Sequence, residues 1–345
     1  MSVPHSFEIE SGLTLMRIHT AGLSMVVSHA LRLAFMILTT VVAQAPQHAT
    51  AQDESFIPPR VSCPSTPFNC DIENAINLGL QYTRSRVDRD QLGGYRHNFL
   101  GVLSLLEKRR GIGSHGPALG YDESEPADQM IVESLIRGHI NHYDSHTDPD
   151  VVPYNYSVGG GLMGLATYLA TGGPDEVGAS TTVTQALANA VTAVQNARAT
   201  HAPNGGGWHY ESPQSTTDLS VTQFAVAGLS AAQNLIPDAT QDFPEFMSFL
   251  MRSQSRDGGF VYRLNGHQGS EGHSTMSATG LWCLRLAQVP VEDSATQDVL
   301  QWLRTNYRYD SVYRSSPRFT YYYIWAAAKS LHVSDAFLVP EFITG

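Results

Sequence analysis

Charged side chains are scarce in this chain of 345 residues: Asp, Glu, Lys and Arg together make 15% of it, against about a quarter in an ordinary globular protein. The surface must therefore be dressed with Ser, Thr, Asn, Gln, Tyr and His. Basic residues are the scarcer kind, which leaves a formal net charge of −11, and no Lys/Arg-rich run reverses that locally. A nucleic-acid partner is excluded on this ground, since phosphates require a basic footprint. Cysteine is nearly absent: only Cys63, Cys70 and Cys283 occur. No CxxC pair and no Cys/His grouping has the spacing of a structural zinc site. Strand-like alternation is also rare, whereas helical periodicity dominates. The hydrophobic fraction, 42%, suffices to bury one sizeable core.

Long apolar runs are missing except near the N-terminus. There, Ala30 to Ala45 carries an apolar stretch behind His29 and Arg32, followed by Ala49-Thr50-Ala51. An apolar segment too short to span a bilayer, ending at a small-x-small site, has the layout of a secretory signal peptide. Met16 and Met25 are alternative starts, and an uncleaved anchor is the competing reading. The expected organisation is a signal peptide over 1–51, a linker over 52–70 and one folded domain over 71–345. The protein is expected to be exported, periplasmic or secreted, and to meet the membrane only through its signal. In an exported protein Cys63 and Cys70 are close enough in sequence for a local disulfide. Cys283, within Gly280-Leu-Trp-Cys-Leu-Arg-Leu, reads as buried core.

Self-similarity organises the remainder. One unit runs from Val183 to Leu235: an Ala-rich helix, the turn Asn204-Gly-Gly-Gly-Trp208-His-Tyr210, a polar loop, and a second helix from Leu219. The next repeats that order, with a helix over Pro244–Gln254, the turn Ser255-Arg-Asp-Gly-Gly-Phe260-Val-Tyr262, and a helix over Ser274–Ala287. The two Gly-Gly-aromatic-x-Tyr turns lie 52 residues apart, as do the Gly-Leu pairs at 228 and 280. Weaker copies over 72–107, 127–170 and 296–332 bring the count to five units. Second helices such as Phe224-Ala-Val-Ala-Gly-Leu are small and apolar on nearly every side, which places them inside, with the amphipathic first helices outside. Periodicity alone leaves open whether the stack is a solenoid or a ring.

Gln254-Ser-Arg-Asp-Gly-Gly-Phe260, and Gln195 followed by Gly206-Gly207-Trp208, resemble the Gln…Gly-x-Trp repeats of squalene and oxidosqualene cyclases and the Gln…Gly-Gly-Phe repeats of protein prenyltransferase β-subunits. Asp218-Leu-Ser-Val-Thr-Gln-Phe, Ser274-Thr-Met-Ser-Ala-Thr-Gly-Leu and Tyr321-Tyr-Tyr-Ile-Trp are similar to runs in exported bacterial proteins carrying a "prenyltransferase and squalene oxidase repeat". The resemblance covers about residues 71–335 and is strongest over 195–285. It implies an all-α fold, an α/α toroid of about five helix hairpins around an apolar central cavity. As partner it implies an apolar, isoprenoid small molecule.

The family's chemistry does not carry over with its repeats. Neither the Asp-x-Asp-Asp acid motif of class II cyclases nor the Asp-Asp-x-x-Asp magnesium cluster of prenyl chemistry is present. Of the Asp, Cys and His that hold zinc in protein prenyltransferases, Asp218 and His273 have counterparts, but Ser220 stands where the Cys belongs. Asp218 and His273 are the candidate catalytic residues, each with the alternative of a helix cap or a satisfied loop residue. Tyr210, Tyr262, Tyr321 and Tyr322 are the candidate cavity residues, alongside Tyr95, Trp208, Phe260, Tyr323 and Trp325, for which inter-repeat packing is the alternative. No cofactor is expected, the weak exception being a divalent metal at His142, His146 and Asp148, within a loop read over His139–Asp150. The acidic run Asp122, Glu123, Glu125 and Asp128 around Pro126 is expected to open a helix. Three functions follow as expectations: a terpenoid-cyclase-like binder of an apolar ligand, a non-catalytic interaction toroid, and, by fold analogy alone, a carbohydrate-active enzyme.

Overall fold

A computed structural model describes residues 67–87, 98–109, 118–145, 155–201, 205–210, 217–264, 271–308 and 311–334. The export signal, Cys63, Tyr95, His146 and Asp148 lie outside these, and with Cys63 the proposed disulfide. The described residues form ten α-helices: α1 (Pro67–Val87), α2 (Asn98–Leu106), α3 (Pro126–Ser145), α4 (Asn155–Ala170), α5 (Val183–Asn196), α6 (Leu219–Ala232), α7 (Phe243–Ser253), α8 (Ser274–Leu286), α9 (Ser294–Asn306) and α10 (Thr320–Val333). Two 3-10 turns, Pro237–Thr240 and Pro317–Phe319, join them. Among the described residues there is no strand, and no helix is long and apolar enough to cross a membrane. Helix α1 begins four residues inside the segment read as linker.

Odd and even helices differ as their sequences predict. In α5 the buried side chains are Val183, Leu187, Val191 and Val194, one stripe of an amphipathic helix. In α6 every residue from Leu219 to Leu229 is buried, and in α8 every residue from Ser274 to Leu284, Cys283 included. The even helices pack on one another in series, α2 on α4, α4 on α6, α6 on α8 and α8 on α10, with odd helices flanking them. An ion pair links the last of the series to the residue after the first: Lys329 Nζ on α10 donates to both carboxylate oxygens of Glu107, just beyond α2, at 2.7 and 2.6 Å.

Two sets of hydrogen bonds tie successive units together, one at three junctions and one at two. The opening N–H groups of α4, α6 and α8, on Asn155, Leu219 and Ser274, donate to the carbonyls of Tyr210, Tyr262 and Tyr313 at 2.8, 3.0 and 3.1 Å. Each tyrosine belongs to the turn of the following unit. On the outer side, the Gln195 amide donates to the Asp238 carbonyl (2.8 Å) and the Gln254 amide to the Ala295 carbonyl (2.9 Å). The glutamines of the repeat motif thus stitch adjacent units together.

The glycines act as packing contacts. Consecutive helical residues point about 100° apart, so Gly159, Gly160 and Gly161 of α4 face three neighbours. An added Cβ would stand 2.5 Å from the Phe224 carbonyl group of α6, 2.5 Å from the Phe99 ring of α2, and against the His139 imidazole of α3. Gly206 and Gly258 combine positive φ (98° and 88°) with backbone approaching from α7 and α9, two reasons that admit only glycine. One landmark of the sequence changes meaning here. Trp208 N–H bonds the Thr222 hydroxyl and Phe260 N–H that of Ser277, both at 3.0 Å. The second loop is therefore three residues longer, and Gly228 and Gly280 sit about one helical turn out of register. Gly228 faces α4 and Gly280 faces the Phe260 ring, so their shared spacing does not reflect equivalent positions.

These contacts separate two substitutions in one helix. Gly159→Ala should destabilise the protein by about 2 kcal/mol or more through backbone overpacking. Gly164→Ala, whose Cβ would meet Val102 at an ordinary 3.6 Å, should be neutral or stabilising by up to about 1 kcal/mol. Urea unfolding of both variants checks this contrast.

Candidate functional site

All five even helices feed one cluster of rings. Phe99 of α2, Met163 of α4, Phe224 of α6 and Trp282 of α8 are buried in it, with Tyr156, Tyr322 and Trp325 partly buried against them. Phe224 stacks on Trp325 (5.1 Å between centroids), Trp282 meets Trp325 edge-on (5.0 Å), Tyr156 leans on Phe224 (4.2 Å) and Phe99 lies edge-on to Phe224 (5.8 Å). The rings fill the space between the helices with self-complementary edge and face contacts.

Above the rings, at the N-terminal ends of the helices, lies a polar network. The Tyr210 and Tyr262 hydroxyls are 3.2 Å apart. The Gln223 amide donates to the Tyr322 hydroxyl, and the Thr279 hydroxyl donates to Gln223 Oε1 (3.1 Å) with Tyr322 at 3.3 Å. Burial, followed by the Tyr210 hydrogen bond, raises the Tyr262 pKa, and burial raises that of Tyr322, with charge on Asp218 and Tyr210 adding to it. Three of the four expected cavity tyrosines are thus brought together. Tyr321 is half-buried on the main core instead, and Tyr323 is fully buried facing Tyr307 (5.8 Å). Three successive rings on one helix take three directions.

Asp218 caps α6. Its Oδ1 accepts the Val221 N–H (2.9 Å) and the Ser220 hydroxyl (2.6 Å), and the residue is wholly buried. Burial raises its pKa against the opposing pull of Ser220, Val221 and Arg263. His273 holds the matching position before α8 but makes no cap bond. Its Nδ1 faces the Thr275 hydroxyl at 2.8 Å, and burial lowers its pKa to about 4. No hydrogen bond or ion pair joins Asp218 to His273. Ser220, where a thiolate would stand in a zinc site, spends its proton on the carboxylate, and among the described residues no three His, Cys, Asp or Glu could hold a metal.

The His-rich segment differs from its sequence reading. Helix α3 continues to Ser145, so His139 and His142 are helical and not in a loop. His142 lies edge-on to Tyr143 (5.5 Å), whereas His139 is buried against Gly161 with no partner for Nδ1, and burial lowers its pKa to about 4. The acidic run does open a helix: Pro126 starts α3, and Asp128 in its first turn pairs with Arg84 through two 2.6 Å bonds. A separate hollow of about 420 Å³ lies off the ring cluster, lined by Asp257, Trp302, Tyr313 and Arg314 among others. Arg314 crosses it to Glu271 at 2.7 Å.

Sequence reasoning passed over Tyr156, Gln223, Arg263 and Tyr313. The last two had a signal, because Tyr313-Arg314 repeats Tyr262-Arg263 and each arginine lies over its own tyrosine ring, at 5.0 and 4.9 Å. No protein-family model matches this chain, and no curated protein matches it either.

Two measurements test the assignments at this site. Asp218→Asn keeps the acceptor and should retain stability, while Asp218→Ala should lose about 1 kcal/mol or more, read by thermal unfolding. Between pH 6.5 and 4 the unfolded chain takes up protons that buried His139 and His273 refuse, so stability falls as pH falls through that window. Asp218, whose pKa burial raises, acts in the opposite sense above the ordinary carboxylate range. His139→Leu should therefore reduce the loss of unfolding free energy between pH 7 and pH 4 by about 3 kcal/mol.

Proposed function

We propose that the chain is an exported α/α toroid, similar to the terpenoid cyclases in architecture, that binds an apolar ligand without transforming it. Serial packing of the even helices and the Lys329–Glu107 bridge between the first and last of them support a closed ring. Five helices at an interaxial distance of ~9 Å stand on a circle of about 8 Å radius, which leaves about 5 Å between each Cα cylinder and the axis. That is the reach of one aromatic side chain, and Phe99, Phe224 and Trp282 occupy it. Room for a guest is then confined to the end where the rings keep exposed surface.

The observation that carries the reading is that Tyr156, Tyr210, Tyr262, Tyr322 and Trp325 gather there half-buried, from four units, with the Tyr210 and Tyr262 hydroxyls 3.2 Å apart. A concave, aromatic wall with a few convergent polar groups is the usual form of a small-molecule site. Binding without turnover fits Asp218. A cyclase acid must protonate an alkene, and that requires neighbours that stabilise the conjugate base. Burial here works the other way, and Oδ1 is committed to the cap.

Lipid extraction and mass spectrometry of the purified protein should recover a co-purifying apolar molecule. Titration with squalene should change Trp325 fluorescence saturably, and the double variant Tyr156→Ala/Tyr262→Ala should weaken that binding at least about tenfold. A protein that extracts clean and shows no saturable response would exclude the ligand reading. The interaction toroid, which the ring-filled axis favours, would then stand.

A further inference from the structure

Three buried polar atoms around Asp218 have no hydrogen-bond partner: Asp218 Oδ2, Arg263 Nε and His209 Nδ1. They come from three segments, the start of α6, the turn of its own unit and the turn of the next. Arg263 lies over the Tyr262 ring with a terminal nitrogen 3.8 Å from Asp218 Oδ2, too long for a charged hydrogen bond. His209 is held by its own carbonyl, which accepts the Asn155 amide at 2.7 Å, and its ring stands edge-on to Tyr210 at 5.5 Å, within electrostatic reach of Asp218. Folded proteins rarely leave such atoms unpaired, and seldom several at one place.

We infer that these atoms form a head-group subsite for a neutral hydroxyl, so that the ligand of the ring cluster is an apolar alcohol. The donor and acceptor inventory selects the class. A hydroxyl donates to the carboxylate oxygen and accepts from the guanidinium or imidazole N–H. A carboxylate or phosphate head meets Asp218 with like charge, and an ammonium head meets Arg263 in the same way. A carbonyl can only accept, and a hydrocarbon satisfies none of the three atoms. The Tyr210–Tyr262 hydroxyl pair adjoins the subsite and links it to the aromatic wall, where the carbon skeleton stacks. The Arg263 side chain is 32% exposed, so it can swing off the Tyr262 ring to admit the head. The subsite rests on the apolar-ligand reading and specifies its polar end.

The test uses the full chain and three probes of one skeleton: farnesene, farnesol and farnesoic acid, followed by Trp fluorescence and calorimetry. Farnesol should bind about tenfold more tightly than either of the others. Arg263→Met and His209→Phe should each cut that advantage below about threefold, with circular dichroism reporting that the variants fold. Equal binding of farnesol and farnesene, or tightest binding of the acid, overturns the subsite and leaves the apolar-ligand reading intact. If none of the three binds, both fail.

Discussion

The architecture depends on a backbone hydrogen bond that crosses from one unit to the next. A helix begins with N–H groups that have no partner within it, and in a buried helix water cannot supply one. Here the first N–H of α4, α6 and α8 is taken by the carbonyl of a turn tyrosine in the following unit. That bond places each tyrosine over the neighbouring helix's N-terminus, and for Tyr210 and Tyr262 it sets the two hydroxyls side by side. It also explains why a single unit cannot stand alone: its inner helix would expose both an apolar surface and orphan donors. Stability in such arrays is shared between neighbours, and this bond is the point of sharing.

A tight inner layer follows. Helices whose ends are fixed by the next unit can approach closely only if their facing side chains are small, and Gly159 and Gly228 provide that contact between α4 and α6. A glycine inside a helix costs about 1 kcal/mol relative to alanine, so three in succession are tolerable only where each is pressed by a different neighbour. The same closeness brings Phe99, Phe224 and Trp282 together in one cluster between the even helices. Polar side chains are then displaced to the helix N-termini, where the tyrosine carbonyls already are. Asp218, Gln223, Thr279 and Tyr322 therefore meet as a consequence of how the units dock.

Much of this was legible in the sequence, and the omissions have physical causes. Period, turn glycines and the contrast between amphipathic and wholly apolar segments predict ten helices in an inner and an outer set, because burial imposes itself on composition. Asp218 as a cap was also legible, since a short acceptor before an apolar helix has few other uses. The register of Gly228 and Gly280 was not, because loop length between a turn and a helix leaves no periodic trace. His139 and His142 were read as loop because Asp, His and Asn crowd the C-terminal end of α3, and polarity at a helix end imitates a connector. Tyr321 was grouped with Tyr322 by adjacency alone, although neighbours in a helix diverge by about 100°.

Asp218 shows how the surroundings of each oxygen set what a carboxylate can do. Its reactivity depends on what each oxygen is free to do. Oδ1 holds a helix end and a serine hydroxyl, which fixes the carboxylate in place and removes half of its capacity. Oδ2 faces the Arg263 guanidinium at 3.8 Å, near enough for charge pairing but too far for a charged hydrogen bond, and it is buried from water. A group in that state is unsuited to donate a proton to carbon, but it is a strong acceptor awaiting a donor. On the proposed reading it engages a guest through that guest's hydrogen-bonding head.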